Sequence, residues 1–221
     1  MRRLKLSGCA VLVILFSFYA ASVASAVKPT FLPGTAGTAF TGKSGTLVWQ
    51  TKGGGAIACG ASEVAKGEGE LLGSSALLFV FRFTKCTLAG LAENTLGDAS
   101  GVTLIHVEAE LCTISTKPLV AGLLLKPLPV HLEVPATKLL LVLEGSFVGT
   151  LSPENKKALV FTPTFTQKEG QQTVVGCLNE AGTKVEPEML LWSADGGAFV
   201  QTGLEFKELS FTLASEQELM S

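Results

Sequence analysis

The chain has 221 residues, 47% of them hydrophobic and only 16% charged, with a formal net charge of −2. That composition excludes a disordered or fibrous chain. No basic run interrupts it, so the electrostatic footprint of a nucleic-acid binder, or of a protein held on anionic membranes, is missing.

The chain opens as an export signal. Arg2, Arg3 and Lys5 give a basic start, Ala10 to Ala21 an apolar run, and Ala24-Ser25-Ala26 a small-residue cleavage site. That order is a secretory signal peptide over residues 1–26, with Ala24 and Ala26 at the cleavage site. The run is shorter than the about 20 residues that span a bilayer, and no later stretch reaches that length without a charge or proline. No transmembrane segment is therefore expected after signal removal. Three look-alikes are set aside. Leu6-Ser7-Gly8-Cys9 spells a lipobox but precedes the hydrophobic run. Leu32-Pro33-Gly34-Thr35-Ala36 resembles a wall-sorting signal at the wrong end of the chain, and Arg2-Arg3 lacks the rest of a twin-arginine motif. Without the first 26 of its 221 residues the chain keeps 195, with 14 Lys and Arg against 19 Asp and Glu. That length suits one domain, which buries roughly 70% of its unfolded surface.

Residues 27–44, rich in Gly, Thr and Pro, read as a flexible leader, and 45–221 as a single domain. Beyond Ser44 short apolar runs alternate with Gly, Pro, Asn or Lys. Strands are expected at 46–50, 56–59, 76–84, 102–113, 119–125, 130–134, 138–143, 158–166, 173–177, 189–192 and 204–213, from their Val, Phe, Thr and Leu content. Leu77, Phe79, Phe81 and Phe83 share one strand face. Ile105, Val107, Ala109 and Leu111 share another, opposite His106, Glu108 and Glu110. Leu204 and Phe206 fall out of phase with Leu209 and Phe211, which asks for a bulge near Glu208. Pro163 pushes its strand towards an edge or a bulge. Gly67-Glu68-Gly69-Glu70 reads as a hairpin turn, and Asp195-Gly196-Gly197 as another. Helical periodicity is weak, with a turn or two available at 119–125 or 215–219. The fold expected is all-β, an antiparallel β-sandwich, with a closed or partly open antiparallel β-barrel as the alternative.

Four cysteines follow the signal: Cys59, Cys86, Cys112 and Cys177. An even count in an exported chain reads as two disulfides. Three connectivities exist, of which 59–86 with 112–177 is favoured. Zinc–thiolate ligation is disfavoured, because it wants cysteines two to four residues apart.

Several segments together carry a resemblance: Lys43-Ser44-Gly45-Thr46-Leu47, the 53–59 run, Phe83-Thr84-Lys85-Cys86 and Gly145-Ser146-Phe147-Val148-Gly149-Thr150. Ser152-Pro153-Glu154-Asn155-Lys156, Gly170-Gln171-Gln172 and Gly203-Leu204 complete it. This pattern resembles a group of uncharacterised secreted proteins abundant in soil actinobacteria. The resemblance implies export and a β fold, and brings no activity with it.

Candidate chemistry is sparse. The two histidines both stand in H-x-E, His106 with Glu108 and His131 with Glu133, so each imidazole shares a strand face with a carboxylate. Paired, these strands would offer a divalent-metal site, with Glu110 nearby, or an acid and a base. The plainer reading is the solvated face of two amphipathic strands. Ser146 is not in a nucleophile elbow. Trp49 and Trp192 sit in apolar strands and suit a core better than a sugar platform. The chain is thus expected to be a secreted or extracytoplasmic, non-enzymatic module with a binding or structural role in the cell envelope or extracellular space, without a cofactor. Its partner would be an unknown protein or small ligand. The alternatives are an apolar, lipid-like ligand held in the sandwich, or a metal-dependent hydrolase built on the two H-x-E strands.

Overall fold

A computed structural model describes residues 28–193, 197–198 and 200–221. The signal segment and most of the 195–197 turn lie outside the described residues. All the described secondary structure is strand, turn or bend, and every strand pairing is antiparallel. Eight strands close a hydrogen-bonded ring: Phe40–Ser44, Ala61–Val64, Ala76–Thr84, Val102–Thr116, Leu119–Pro127, Phe147–Ser152, Lys157–Thr164 and Ser210–Met220. The circuit closes because Ala76–Thr84 pairs with Ala61–Val64 on one side and Val102–Thr116 on the other. The barrel alternative therefore describes this first layer.

A second sheet of nine strands runs from Asn94–Thr95 through Val130–Val134, Leu139–Gly145, Met189–Ser193, Val200–Phe206, Leu47–Thr51, Ala56–Cys59 and Thr87–Leu88 to Leu91–Ala92. Its two end strands are separated in the chain by Glu93 alone, so the sheet curls until its ends meet.

The layers are joined by four strands that pass from one into the other. Phe40–Ser44 continues as Leu47–Thr51, Ala61–Val64 is preceded by Ala56–Cys59, Ala76–Thr84 continues as Thr87–Leu88, and Val200–Phe206 continues as Ser210–Met220. Their order across the sheet is the same on both sides of the bend. Strands that switch sheets at aligned bends are the corners of orthogonal β-packing. Glu208 (φ 59°) and Lys85 (φ 56°) turn their corners in the left-handed conformation. Each faces a neighbouring strand whose corner residue is glycine. Gly45 N–H donates to Lys207 O at 2.8 Å and Gly60 N–H to Thr84 O at 2.9 Å. A Cβ at Gly45 or Gly60 would lie 3.2 or 3.3 Å from its neighbour across the bend. The phase change at Leu209 thus marks a change of layer, and the single strand expected over 204–213 is two strands.

One core serves both layers. Trp49 of the second sheet meets Phe83 of the ring at 5.0 Å, and Phe206 meets Phe81 at 5.4 Å and Phe165 at 5.7 Å. Leu77, Phe79, Phe81 and Phe83 are all buried, as are Ile105, Val107, Ala109 and Leu111, as their alternation predicts. The flexible leader is corrected: Thr30–Leu32 and Phe40–Ser44 are strands, because Phe31 and Phe40 bury their rings in the core. Leu119–Pro127 and Ser210–Met220 are strands throughout, so neither short helix forms. Pro163 lies inside the ring, but its two ladders are staggered: Thr162–Thr164 pairs only with Phe147–Ser152, so the missing N–H falls where the other side is unpaired. The hairpin expected at Gly67–Glu70 does not form: Ala61–Val64 and Glu70–Leu71 both pair with Ala76–Thr84, so residues 65–69, with Glu68 N–H on Ala65 O, loop out between two pieces laid along the same partner strand. The expected 173–177 strand is only Cys177–Leu178.

Both disulfides take the favoured pairing, Cys59 with Cys86 and Cys112 with Cys177. The first ties the two layers together at the bend. The second pins the 174–185 segment over a small apolar cluster on the outside of the ring, formed by Leu124 and Val148 with Ile114, Val174 and Val185.

Glu208→Gly removes a left-handed penalty of about 1 kcal/mol and should raise the denaturant midpoint, whereas Glu208→Val should lower it. Replacing Cys112 and Cys177 by alanine should make the 174–185 segment sensitive to protease while the far-ultraviolet signature of the ring persists. Replacing Cys59 and Cys86 should lower the global unfolding free energy, by roughly 3 kcal/mol on loop entropy.

Candidate functional site

The two histidines line one hollow at the seam between the layers. Thr95 makes that seam: its hydroxyl accepts Leu104 N–H at 2.7 Å and donates to Leu104 O at 3.2 Å, linking the end of the second sheet to the ring. Leu128 N–H donates to His106 O at 2.9 Å and Leu96 N–H to His131 O at 2.8 Å. The result is an open hollow of about 320 Å³ that His106 and His131 line together with Thr95, Leu96, Leu104, Leu128, Pro129 and Val130. Leu96 and Leu128 are 53% and 52% exposed, so the hollow is an apolar surface flanked by imidazoles.

The carboxylates do not join them. Glu133 accepts from Asn94 Nδ2 at 2.8 Å, and Glu110 is paired with Lys126 at 2.6 Å. Glu108 is exposed on the outer face of the ring. Among the described residues no three His, Cys, Asp or Glu side chains form a group able to hold a metal ion. The four residues His106, Glu108, His131 and Glu133, raised beside the plainer reading of two solvated strand faces, do not form such a group. Alternation put each His beside its Glu, but the two strands belong to different layers and are not ladder neighbours.

The interior offers no room for a ligand at the junction of the layers. The void between Trp49, Phe81, Phe83, Leu143, Phe147 and Phe206 is about 10 Å³, at the lower limit for one water. That void is too small for a lipid-like molecule. Trp49 is core, 1% exposed, and the side chain of Trp192 lies outside the described residues.

A polar hollow near the second layer, about 370 Å³, is lined by Gln171, Gln172 and Gln201 with Glu186 and Glu188. Its glutamines are tied down: Gln171 Nε2 donates to Gln201 Oε1 at 3.0 Å and Gln172 Nε2 to Leu204 O at 3.1 Å. The Gly170-Gln171-Gln172 motif is thus a hairpin clasped onto the Val200–Phe206 strand.

Sequence reasoning missed Glu93. It is fully buried, its carboxylate accepts from the buried Thr103 hydroxyl at 3.1 Å, and burial pushes its pKa up to about 7, with the Thr103 bond pulling the other way. The only signal was local: Leu91-Ala92 before it and Asn94 after it resemble any solvated turn.

No protein-family model, no curated protein and no solved structure matches this chain. Thr95→Val removes both bonds to Leu104 and leaves two backbone groups at the seam without partners. It should cost about 2 kcal/mol in chemical denaturation, with the faster amide exchange centred on residues 94–104.

Proposed function

We propose that this chain is an exported module with a binding or structural role in the cell envelope or extracellular space, acting through its outer surface and performing no catalysis. The observation that carries this reading is the placement of the two disulfides. One staples the layers at their shared bend and the other fastens an outer flap. Cross-links in such positions serve a chain that folds and works in an oxidising compartment. The basic, apolar and small-residue order of the first 26 residues supports the same destination, and the resemblance to secreted actinobacterial proteins agrees with it. Among the described residues, no helix is long and apolar enough to cross a membrane.

A surface role is favoured by the small void at the layer junction and by the seam hollow, where two exposed leucines lie between two imidazoles. A protein partner or a small apolar ligand would be met there. Expression of the full chain in an actinobacterial host tests the reading. The expected product is found outside the cytoplasm, begins at Val27 and has no titratable thiol. A chain retained inside, still beginning at Met1 and with free cysteines, would overturn it.

A further inference from the structure

The second sheet ends where it begins. Leu91–Ala92 hangs on Thr87–Leu88 at one end, Asn94–Thr95 pairs with Leu132 and Glu133 at the other, and Glu93 is the single residue between them. The loop from Cys86 to Gly101 that carries this closure is itself closed at its base, where Cys86 N–H donates to Gly101 O at 3.0 Å. Inside it, Glu93 N–H donates to Cys86 O at 3.0 Å, so Glu93 is tied by its backbone to the cysteine that staples the layers. Its side chain points the other way, to Thr103 on the ring strand, and both side chains are fully buried. Beside it Asn94 is 1% exposed, gives its Nδ2 to Glu133, Thr95 O and Asp98 O, and keeps a buried Oδ1 without a protein partner.

We propose that Glu93 makes the 86–101 loop an acid-closed clasp, which holds the ends of the second sheet together while the carboxyl is protonated and loosens them when it ionises. A neutral carboxyl needs only modest hydrogen bonding in such a place. A carboxylate there would keep one hydroxyl donor and no cation, which is a costly burial.

The ionisable groups on the surrounding elements do not relieve it. Lys85 and Asp98 flank or lie in the loop, His106 and Glu108 stand on Val102–Thr116, and His131 and Glu133 on Val130–Val134. Arg82 on Ala76–Thr84 is paired with Glu63, and Ala56–Cys59 brings only the bonded Cys59. Among the described residues the hydrogen-bond partner of the Glu93 side chain is Thr103.

The sign is fixed by linkage. A carboxyl whose pKa is raised in the closed form stabilises that form fully below its open-form value and loses the contribution as pH climbs to the closed-form value. For Glu93 that window runs from 4.5 to about 7. The loop also carries Thr95 and Leu96, two walls of the hollow that holds His106 and His131. Opening the clasp would displace those two walls, so a surface that binds there would be held together more firmly below that window than above it.

Amide hydrogen exchange on the full mature protein, corrected for intrinsic rates, tests this from pH 4.5 to 7.5. Loop opening at residues 87–100 should increase on the order of a hundredfold over that range and then level off, while the ring strands keep their protection. Glu93→Gln, which keeps an acceptor for Thr103 and leaves both histidines in place, should flatten the dependence. Carbon-13 titration of the Glu93 carboxyl in the unaltered protein needs no variant and should place its transition well above that of an ordinary glutamate. A flat exchange profile, an unchanged rise in Glu93→Gln, a loss spread evenly over the ring, or a normal carboxyl titration would each overturn the proposal.

Discussion

Everything in this fold depends on one line of bends. Four neighbouring strands leave the ring and enter the second layer side by side, and they keep their hydrogen-bonded order as they do so. A twisted sheet turns such a corner only where backbones come close and side chains stay out of the way. Here the close approaches fall at Gly45 and Gly60, and the left-handed turns at Lys85 and Glu208. The Cys59–Cys86 bond lies on the same line. Because the corner holds the layers at a fixed angle, one aromatic core fills both, and Phe206 and Trp49 reach rings that belong to the other layer.

The corner also accounts for several of the short motifs that carry the sequence resemblance. Lys43-Ser44-Gly45-Thr46-Leu47 and Phe83-Thr84-Lys85-Cys86 are two of the four crossings, and Gly203-Leu204 lies on the strand that becomes a third. Gly170-Gln171-Gln172 clasps that same strand from outside. These segments answer to geometry. Their residues turn the chain, and none of them lines the hollow shared by His106 and His131.

Much of this was legible in the sequence. The Ala76–Thr84 and Val130–Val134 strands fall where their apolar residues place them, and the inward row from Ile105 to Leu111 follows from alternation. The phase break at Leu209 was visible too, since a strand cannot change faces without an irregularity. What could not be read was which layer each half joins, because alternation reports a face and says nothing of a partner strand. The same limit applies to the H-x-E pairs: His106 and His131 each share a strand face with a glutamate, and only the register shows that those faces belong to different sheets. Phe31 and Phe40 were hidden by the Gly, Thr and Pro around them. Glu93 was hidden because a charged residue in a short polar stretch carries no mark of burial until the sheet closes around it.

The ring of eight strands closes on itself, the strands that hang on it, Thr30–Leu32, Cys177–Leu178 and Lys184–Val185, are two or three residues long, and the curled sheet beside it ends in strands of only two residues, Leu91–Ala92 and Asn94–Thr95. Little open backbone is therefore offered to a strand from another molecule. Among the described residues, the chain gives almost no template for edge-to-edge association, the usual route by which strand-rich proteins aggregate. Such layers present side chains on a face far more than open strand edge.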